Sequence, residues 1–197
     1  KYEIAKFAIK FVRGKAKIII GTGSNNTLHS ANLTHKISKL NPDGFLLISP
    51  YYNKATNEGL SLHFKEICKN TDLPVILYNV PYRASLNMSD AIIVRIKEEN
   101  NNVVGLKDAT GDLARVPSIR SKISDDFLLF SGEDSTALAF NASGGDGIIS
   151  VASNIAPQIC NQLQKLSLEG KIKEAQKIQQ DVYKIAEVLF AEVNPIP

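Results

Sequence analysis

The sequence is poor in cysteine and histidine and has no long apolar run, and each shortage narrows the choice of function. Its two cysteines, Cys68 and Cys160, lie within helical patterns and lack metal-ligand spacing. We expect both to be reduced core thiols of a cytoplasmic protein. The three histidines are dispersed over predicted helices, which argues against a metal centre. The longest apolar runs, such as Phe45–Ile48, are far too short to cross a bilayer, and no secretory signal is visible.

The distribution of charged residues and of glycines also gives no indication of a specialised binding surface. The 23 basic and 20 acidic residues leave a net charge of +3, and the lysines are distributed along the chain, which argues against a nucleic-acid surface. The stretch Gly21–Asn26 lacks the spacing of the dinucleotide fingerprint and of the P-loop. We interpret it and Ser143–Gly147 as turns, with a phosphate-binding loop as the alternative for each. The sequence predicts a globular protein that binds neither nucleic acid nor membrane.

Both ends of the sequence look like cuts. It opens at Lys1 within a helical pattern that covers Ile4–Phe11, and it closes on Asn194-Pro195-Ile196-Pro197 in a predicted loop. We therefore expect a piece of a longer polypeptide.

A short apolar run gives way to an amphipathic helix six times along the chain. The runs are rich in Ile, Val and Leu at consecutive positions, as strands buried on both faces of a parallel sheet should be. We expect Ser89 and Asp112 to cap the helices after the third and fourth strands, and Pro157 to begin a helix that ends at Gly170. The predicted strands are Lys17–Gly21, Gly44–Ser49, Val75–Asn79, Val103–Lys107, Phe127–Ser131 and Gly147–Val151.

This alternation alone fits a doubly wound sheet as well as a (βα)8 barrel. The barrel is favoured because most of the predicted strands end in polar or reactive groups, and chemistry at the carboxyl ends of many successive strands is typical of barrels. A complete barrel has ~250 residues, more than the 197 present. We predict that residues 1–197 form a single, partial (βα)8-barrel domain of about six units.

The residue that ends the fourth strand, Lys107, is the central candidate for chemistry. A lysine at a barrel mouth is partly desolvated, and burial lowers the pKa of an ammonium group because it disfavours the charged form. The neutral amine is the species that attacks a carbonyl to form an imine. The alternative is a lysine that points into solvent, and the spacing leaves both possibilities open.

Candidates also follow the second and third strands. Tyr78 is placed to relay protons to and from an imine, and Arg83 offers a planar fork for a substrate carboxylate. Tyr51 and Tyr52 form an aromatic pair of the kind favoured at subunit interfaces. The alternatives, a core tyrosine, a solvated loop arginine and a local packing pair, remain open from these residues alone.

Taken together and in order, these motifs resemble those of the dihydrodipicolinate synthase and N-acetylneuraminate lyase family. The resemblance runs over essentially the whole chain. Its motifs are Gly21-Thr22-Gly23, Pro50-Tyr51-Tyr52-Asn53, Tyr78-Asn79-Val80-Pro81, Gly105-Leu106-Lys107-Asp108-Ala109-Thr110, Ser131-Gly132-Glu133-Asp134 and Asn194-Pro195-Ile196-Pro197.

The resemblance implies a role for each of six residues. Lys107 matches the imine-forming lysine, and Tyr78 matches the tyrosine that relays protons. Tyr52 matches the tyrosine that reaches across a tight dimer interface into the neighbouring site. Arg83 matches the arginine that receives the carboxylate of the aldehyde substrate. Gly132 and Ile149 match residues that line the pyruvate end of the pocket. The carbonyl of the residue matched by Ile149 faces the catalytic centre.

The activity implied is that of a class I aldolase without metal or dissociable cofactor. Pyruvate, held as an imine on Lys107, would condense with L-aspartate-4-semialdehyde to give 4-hydroxy-tetrahydrodipicolinate, on the route to lysine and diaminopimelate. The family also implies a cytoplasmic dimer or tetramer. Two alternatives stay open: another pyruvate-dependent aldolase, such as N-acetylneuraminate lyase, and a truncated remnant without catalysis.

One departure from the family pattern bears on activity. The glycine-threonine-threonine-glycine-glutamate segment, which supplies the middle hydroxyl of the family's proton relay, has no counterpart in this sequence. The first two βα units are absent with it. A barrel lacking them would leave two strands with unpaired edges.

Overall fold

The computed structural model describes residues 1–196, and Pro197, the last residue of the terminal motif, lies outside them. The chain divides into two compact units, Lys1–Leu106 and the part from Lys107 onward. No helix in residues 1–196 combines the length and the apolar character that crossing a bilayer requires.

The first unit is built on parallel strands that follow one another in chain order. β1 (Ile19–Gly21) pairs with β2 (Gly44–Ile48), and β2 pairs with β3 (Val75–Asn79). The pairing of β2 and β3 runs in register to Ile48 and Tyr78, so both strands end at the same edge. β4 (Val103–Asp108) begins in this unit and ends in the next.

Helices alternate with these strands, and polar caps fix where three of them begin. Asn26, Thr56 and Ser89 each accept a backbone N–H of the first turn, which satisfies a donor that the helix itself leaves unpaired. Fully buried Phe45, Leu47, Phe64, Ile67, Ile93 and Ile96 form the core. The helices are α1 (Tyr2–Val12), α2 (Thr27–Ser38), α3 (Asn57–Cys68), α4 (Pro81–Ala84) and α5 (Asp90–Glu99).

The second unit contains the end of β4, then β5 (Leu128–Ser131) and β6 (Gly147–Ile148), which are parallel neighbours. Its core combines the small side chains of Ala137, Ala152 and Ala175 with larger ones such as Leu163 and Val182. Both cysteines of the chain are free, buried thiols. The helices of this unit are α6 (Arg115–Arg120), α7 (Ala137–Ala142), α8 (Pro157–Leu168) and α9 (Ile172–Leu189).

All six predicted strands are present, and the helix beginning at Pro157 is confirmed, with Gly170 in the left-handed region just after it. The prediction for Asp112 is wrong. Its carboxylate accepts the N–H of Ala114 at 3.0 Å and its carbonyl accepts that of Arg115, which makes a turn, so α6 begins only at Arg115. The last strand is shorter than predicted and ends at Ile148; Val151, its predicted last residue, already has helical φ and ψ as the N-cap of a 3-10 helix at Ala152–Asn154.

Candidate active site

Lys107 lies near the end of β4 in the second unit and is only 8 % exposed. The alternative of a lysine that points into solvent is therefore wrong. Burial lowers the pKa of its ammonium group, although the carboxylates of Glu133 and Asp134 act in the opposite direction. Because desolvation is the largest contribution, the amine is neutral more often than that of an ordinary lysine, as a nucleophile requires.

The pKa of Glu133 is shifted in the direction opposite to that of Lys107. Burial raises the pKa of its carboxyl group, and the neighbouring Asp134 raises it further, whereas Lys107 lowers it. The environment thus pushes both the amine and this carboxyl group towards their neutral forms. Pairs of titratable groups shifted in this way are a common feature of acid–base sites.

Gly132 forms a wall of the space around Lys107. A Cβ atom at this position would lie 2.5 Å from the Cβ of Ala109 and 3.1 Å from the Cε of Lys107, so no larger residue fits without movement. The backbone N–H of Gly132 donates to the carbonyl of Asp108 at 2.7 Å, which continues the pairing of β4 with β5.

Ile149 stands at the end of the next strand. Its backbone N–H donates to the carbonyl of Ser131 at 2.9 Å. Three of the six predicted site residues, Lys107, Gly132 and Ile149, therefore lie at the carboxyl ends of adjacent strands within the second unit, the arrangement on which barrel active sites are built.

Asp134 is an anchor that the sequence analysis did not assign. Its buried carboxylate, 4 % exposed, accepts the backbone N–H of Val151 at 2.9 Å and that of Ala152 at 3.0 Å, together with the hydroxyl of Ser150. These donors join the loop after β5 to the loop after β6. The only sequence signal was an acidic pair after Ser131-Gly132, which is equally typical of a solvated loop.

The residue after the lysine is also fixed by buried contacts. Asp108 accepts the hydroxyl of Thr110 at 2.5 Å, and the Nε of Arg115 lies 3.4 Å from the same carboxylate oxygen. Two groups from the segment that follows β4 thus hold the end of the strand in place.

In the first unit, Tyr78 is the penultimate residue of β3, near its carboxyl end, and is half-buried. Its carbonyl accepts the backbone N–H of Ser49 at 3.2 Å, which keeps the ends of β2 and β3 together. Beyond it, the amide of Asn79 donates to Asn87 at 2.8 Å and accepts the N–H of Met88 at 3.0 Å. The strand end is therefore tied to the loop that precedes α5.

Tyr52 and Arg83 are brought to neighbouring segments of the first unit. The backbone N–H of Tyr52 donates to the carbonyl of Ala84 at 3.2 Å, so the loop after β2 is held against α4, the helix that carries Arg83. The Tyr52 side chain is 85 % exposed and its φ is +74°, a left-handed conformation that costs free energy for a residue with a Cβ atom. Arg83 is exposed as well.

Within residues 1–196, no three His, Cys, Asp or Glu side chains lie close enough together to hold a metal ion.

Comparison with known proteins gives a consistent result. The profile of the dihydrodipicolinate synthetase family matches residues 1–197. The chain is 44 % identical to a 4-hydroxy-tetrahydrodipicolinate synthase of Buchnera aphidicola and 43 % identical to one of Pseudomonas putida, in each case over 99 % of this chain. It spans 66 % of the length of each of these curated relatives, just under two thirds.

Solved structures agree with this. The dihydrodipicolinate synthase from Aquifex aeolicus superposes with a TM-score of 0.97 at 36 % identity, and covers 100 % of this chain and 67 % of its own. The 4-hydroxy-tetrahydrodipicolinate synthase from Methylacidiphilum fumariolicum also gives a TM-score of 0.97, at 39 % identity, over 100 % of this chain and 65 % of its own. The fold class predicted from the sequence, α/β with six units of a (βα)8 barrel, is confirmed by this likeness.

Proposed function

This chain belongs to the dihydrodipicolinate synthetase family, and on that premise we propose that it condenses pyruvate with L-aspartate-4-semialdehyde to give 4-hydroxy-tetrahydrodipicolinate. The observation that carries the proposal is the buried Lys107, whose pKa is lowered by desolvation at the end of β4. The names of the curated relatives favour this synthase over N-acetylneuraminate lyase.

The first half of the reaction takes place on Lys107. Its neutral Nζ attacks the keto carbon of pyruvate, and loss of water leaves an imine. The protonated imine then accepts the electron pair released when the methyl carbon loses a proton, which gives an enamine. Because the imine is the electron sink, this step needs no metal and no dissociable cofactor.

Gly132 and Ile149 are assigned to the pyruvate end of the pocket. In support, the backbone of Gly132 packs against the Lys107 side chain without room for a Cβ atom, and Ile149 follows directly on β6, the neighbouring strand.

Protons and the second substrate are assigned to the first unit. Tyr78 relays protons to and from the imine, and Tyr52 extends the relay into the site of a neighbouring subunit. Arg83 holds the carboxylate of the semialdehyde through paired N–H donors. The exposure of Tyr52 and Arg83 supports roles towards groups outside their own unit.

The enamine carbon attacks the aldehyde carbon and forms the new carbon–carbon bond. The amino group of the bound product then displaces Lys107 by transimination, and ring closure releases 4-hydroxy-tetrahydrodipicolinate. We assign this activity to a cytoplasmic protein that self-associates as a dimer or tetramer.

A turnover assay tests the proposal. Incubation with pyruvate and L-aspartate-4-semialdehyde is expected to yield the cyclic product, detected by mass spectrometry. Lys107→Ala should abolish product formation, whereas Lys165→Ala, which removes an exposed lysine of α8, should not. Product formation that survives Lys107→Ala would overturn the proposal, as would a folded wild-type protein that makes no product; the latter result would favour the non-catalytic remnant.

A further inference from the structure

The environment of Lys107 depends on where one short segment of backbone lies. Gly132 is packed against the Lys107 side chain, and the next two residues, Glu133 and Asp134, bring the carboxylates that act on its amine. Asp108, from the strand itself, adds a further charge next to Glu133. Whatever fixes residues 132–134 therefore controls both the solvation and the electrostatic field of the amine.

One side of this segment is fixed from within. The hydroxyl of Ser131 accepts the backbone N–H of Glu133 at 3.0 Å, and the Asp134 carboxylate is held by the loop after β6. These contacts come from the strand ends that already form the proposed site.

The other side is held by a residue far along the chain. Gln179, in the middle of α9, donates from its Nε2 to the carbonyl of Asp134 at 2.9 Å. Its Oε1 accepts the backbone N–H of Leu138, in the first turn of α7, at 3.0 Å. No side chain from the N-terminal flank of α7 caps that helix, so Gln179 satisfies one of its free donors from outside.

The two contacts define the chemistry required at this position. The Leu138 N–H can only donate and the Asp134 carbonyl can only accept, so the side chain between them must offer one acceptor and one donor. A carboxamide does so, whereas a carboxylate lacks the donor and an aliphatic chain lacks both. The orientation of the Gln179 amide is fixed by the same argument.

We propose that Gln179 is a positioning residue: it holds the Gly132–Asp134 wall against Lys107 and thereby governs the reaction of that amine with a keto acid. The inference rests on the proposed function, since it extends the same site. Gln179 does not touch the reacting atoms and acts through Asp134.

The direction of the effect follows from the balance of forces on Lys107. A loosened wall admits water to the amine and also moves two carboxylates, and these changes have opposite effects on its pKa. Desolvation is the larger influence. Loss of the Gln179 contacts should therefore raise the pKa of Lys107 and reduce the neutral fraction at neutral pH.

The test uses two readouts and three variants. The pH profile of Lys107 acetylation, followed by peptide mass spectrometry, reports the neutral amine whether or not pyruvate reacts. Trapping with pyruvate and borohydride reports imine formation. Gln179→Leu removes both contacts, Gln179→Glu keeps the volume and the bond to Leu138 but loses the donor, and Gln180→Leu changes an exposed neighbour on α9.

We expect both Gln179 variants to move the acetylation midpoint upward by on the order of one pH unit and to slow trapping at neutral pH about tenfold. Gln180→Leu should match wild type. A merely structural role would lower the melting temperature without moving the midpoint of the folded protein. Gln179→Glu carries the test if Gln179→Leu fails to fold.

The outcomes separate this inference from the function on which it rests. An unmoved midpoint in a folded Gln179 variant, with trapping intact in wild type, overturns the positioning role alone. A moved midpoint in a protein that never traps pyruvate sinks the proposed function and leaves the positioning role standing.

Discussion

In the second unit, Lys107 is 8 % exposed, Gly132 packs against it, and Asp134 is tied to the loop beyond β6. In the first unit, Tyr52 is 85 % exposed and only its backbone is held, by the carbonyl of Ala84. The second unit thus fixes the side chain of Lys107. The first unit fixes only the backbone at Tyr52, whose side chain is exposed to solvent.

This difference indicates a division of labour. The proposed imine formation requires a desolvated amine, which the buried Lys107 of the second unit provides. In the proposed reaction the semialdehyde is assigned to the exposed Arg83, and the protons to the half-buried Tyr78 and the exposed Tyr52. Imine formation should therefore respond to changes in buried packing, and the later steps to changes in exposed side chains.

Arg83→Ala is expected to give the largest difference between product formation and pyruvate trapping. Product formation from the semialdehyde should be lost, because the carboxylate of that substrate no longer meets a guanidinium group. Pyruvate trapping on Lys107 should continue at the wild-type rate. The matched control is Arg13→Ala, another exposed arginine of the first unit. Loss of trapping together with turnover would contradict the division.

Gly132→Ala should disturb the buried side. The added methyl group would lie 2.5 Å from Ala109 and 3.1 Å from the Lys107 side chain, so one of them must move. A shift of this size in a reacting group is expected to slow trapping about a hundredfold. Gly21→Ala, where a Cβ atom meets nothing within 4 Å, should leave trapping unchanged. Equal rates for the two variants would show that Gly132 does not shape the pocket.

Asp134→Asn should weaken the fold of the second unit. The amide is uncharged, so the oxygen that accepts the N–H groups of Val151 and Ala152 makes weaker hydrogen bonds than the carboxylate does, and the free energy of unfolding should fall by about 1–3 kcal/mol. Urea denaturation measures this loss. Asp181→Asn, which removes an exposed ion pair with Lys184, should change stability much less. A comparable loss in both variants would argue against Asp134 as an anchor.

The smallest effect is a gain in stability from Lys107→Met. Because the folded pKa of Lys107 is lowered, the folded protein pays for a buried ammonium group at low pH, and that penalty falls as pH rises towards the unfolded value of 10.5. Lys107→Met should therefore be more stable than wild type at acid and neutral pH, and the gap should close in alkali. A gap that is independent of pH would mean that Lys107 is not desolvated.

Local sequence signals were enough to locate the six strands and two of the three predicted helix starts. Runs of branched apolar residues located all six strands, and Ser89 caps α5 as predicted because its hydroxyl competes for a first-turn N–H. Asp112 was misjudged because the same residue type also makes turns. The left-handed φ of Tyr52 could not be predicted from the sequence, because this conformation is usually adopted by glycine.

The candidate site was only partly predictable for a physical reason. The position of Lys107 at a strand end was visible, but spacing does not say whether a side chain points into solvent or into a pocket. Gly132 was assigned by resemblance, and only the 2.5 Å approach to Ala109 explains why glycine is needed there. The role of Gln179 could not be predicted from the sequence, because a glutamine in a mostly polar helix is usually a solvated residue.

The central claim is that the Lys107 amine captures a keto acid. The most direct measurement is to incubate the protein with pyruvate, reduce it with borohydride and map the adduct by peptide mass spectrometry. We expect one modified residue, Lys107, that carries the pyruvate skeleton after loss of water and gain of two hydrogens. A folded protein with Lys107 unmodified, or with the adduct spread over its exposed lysines, would contradict the claim.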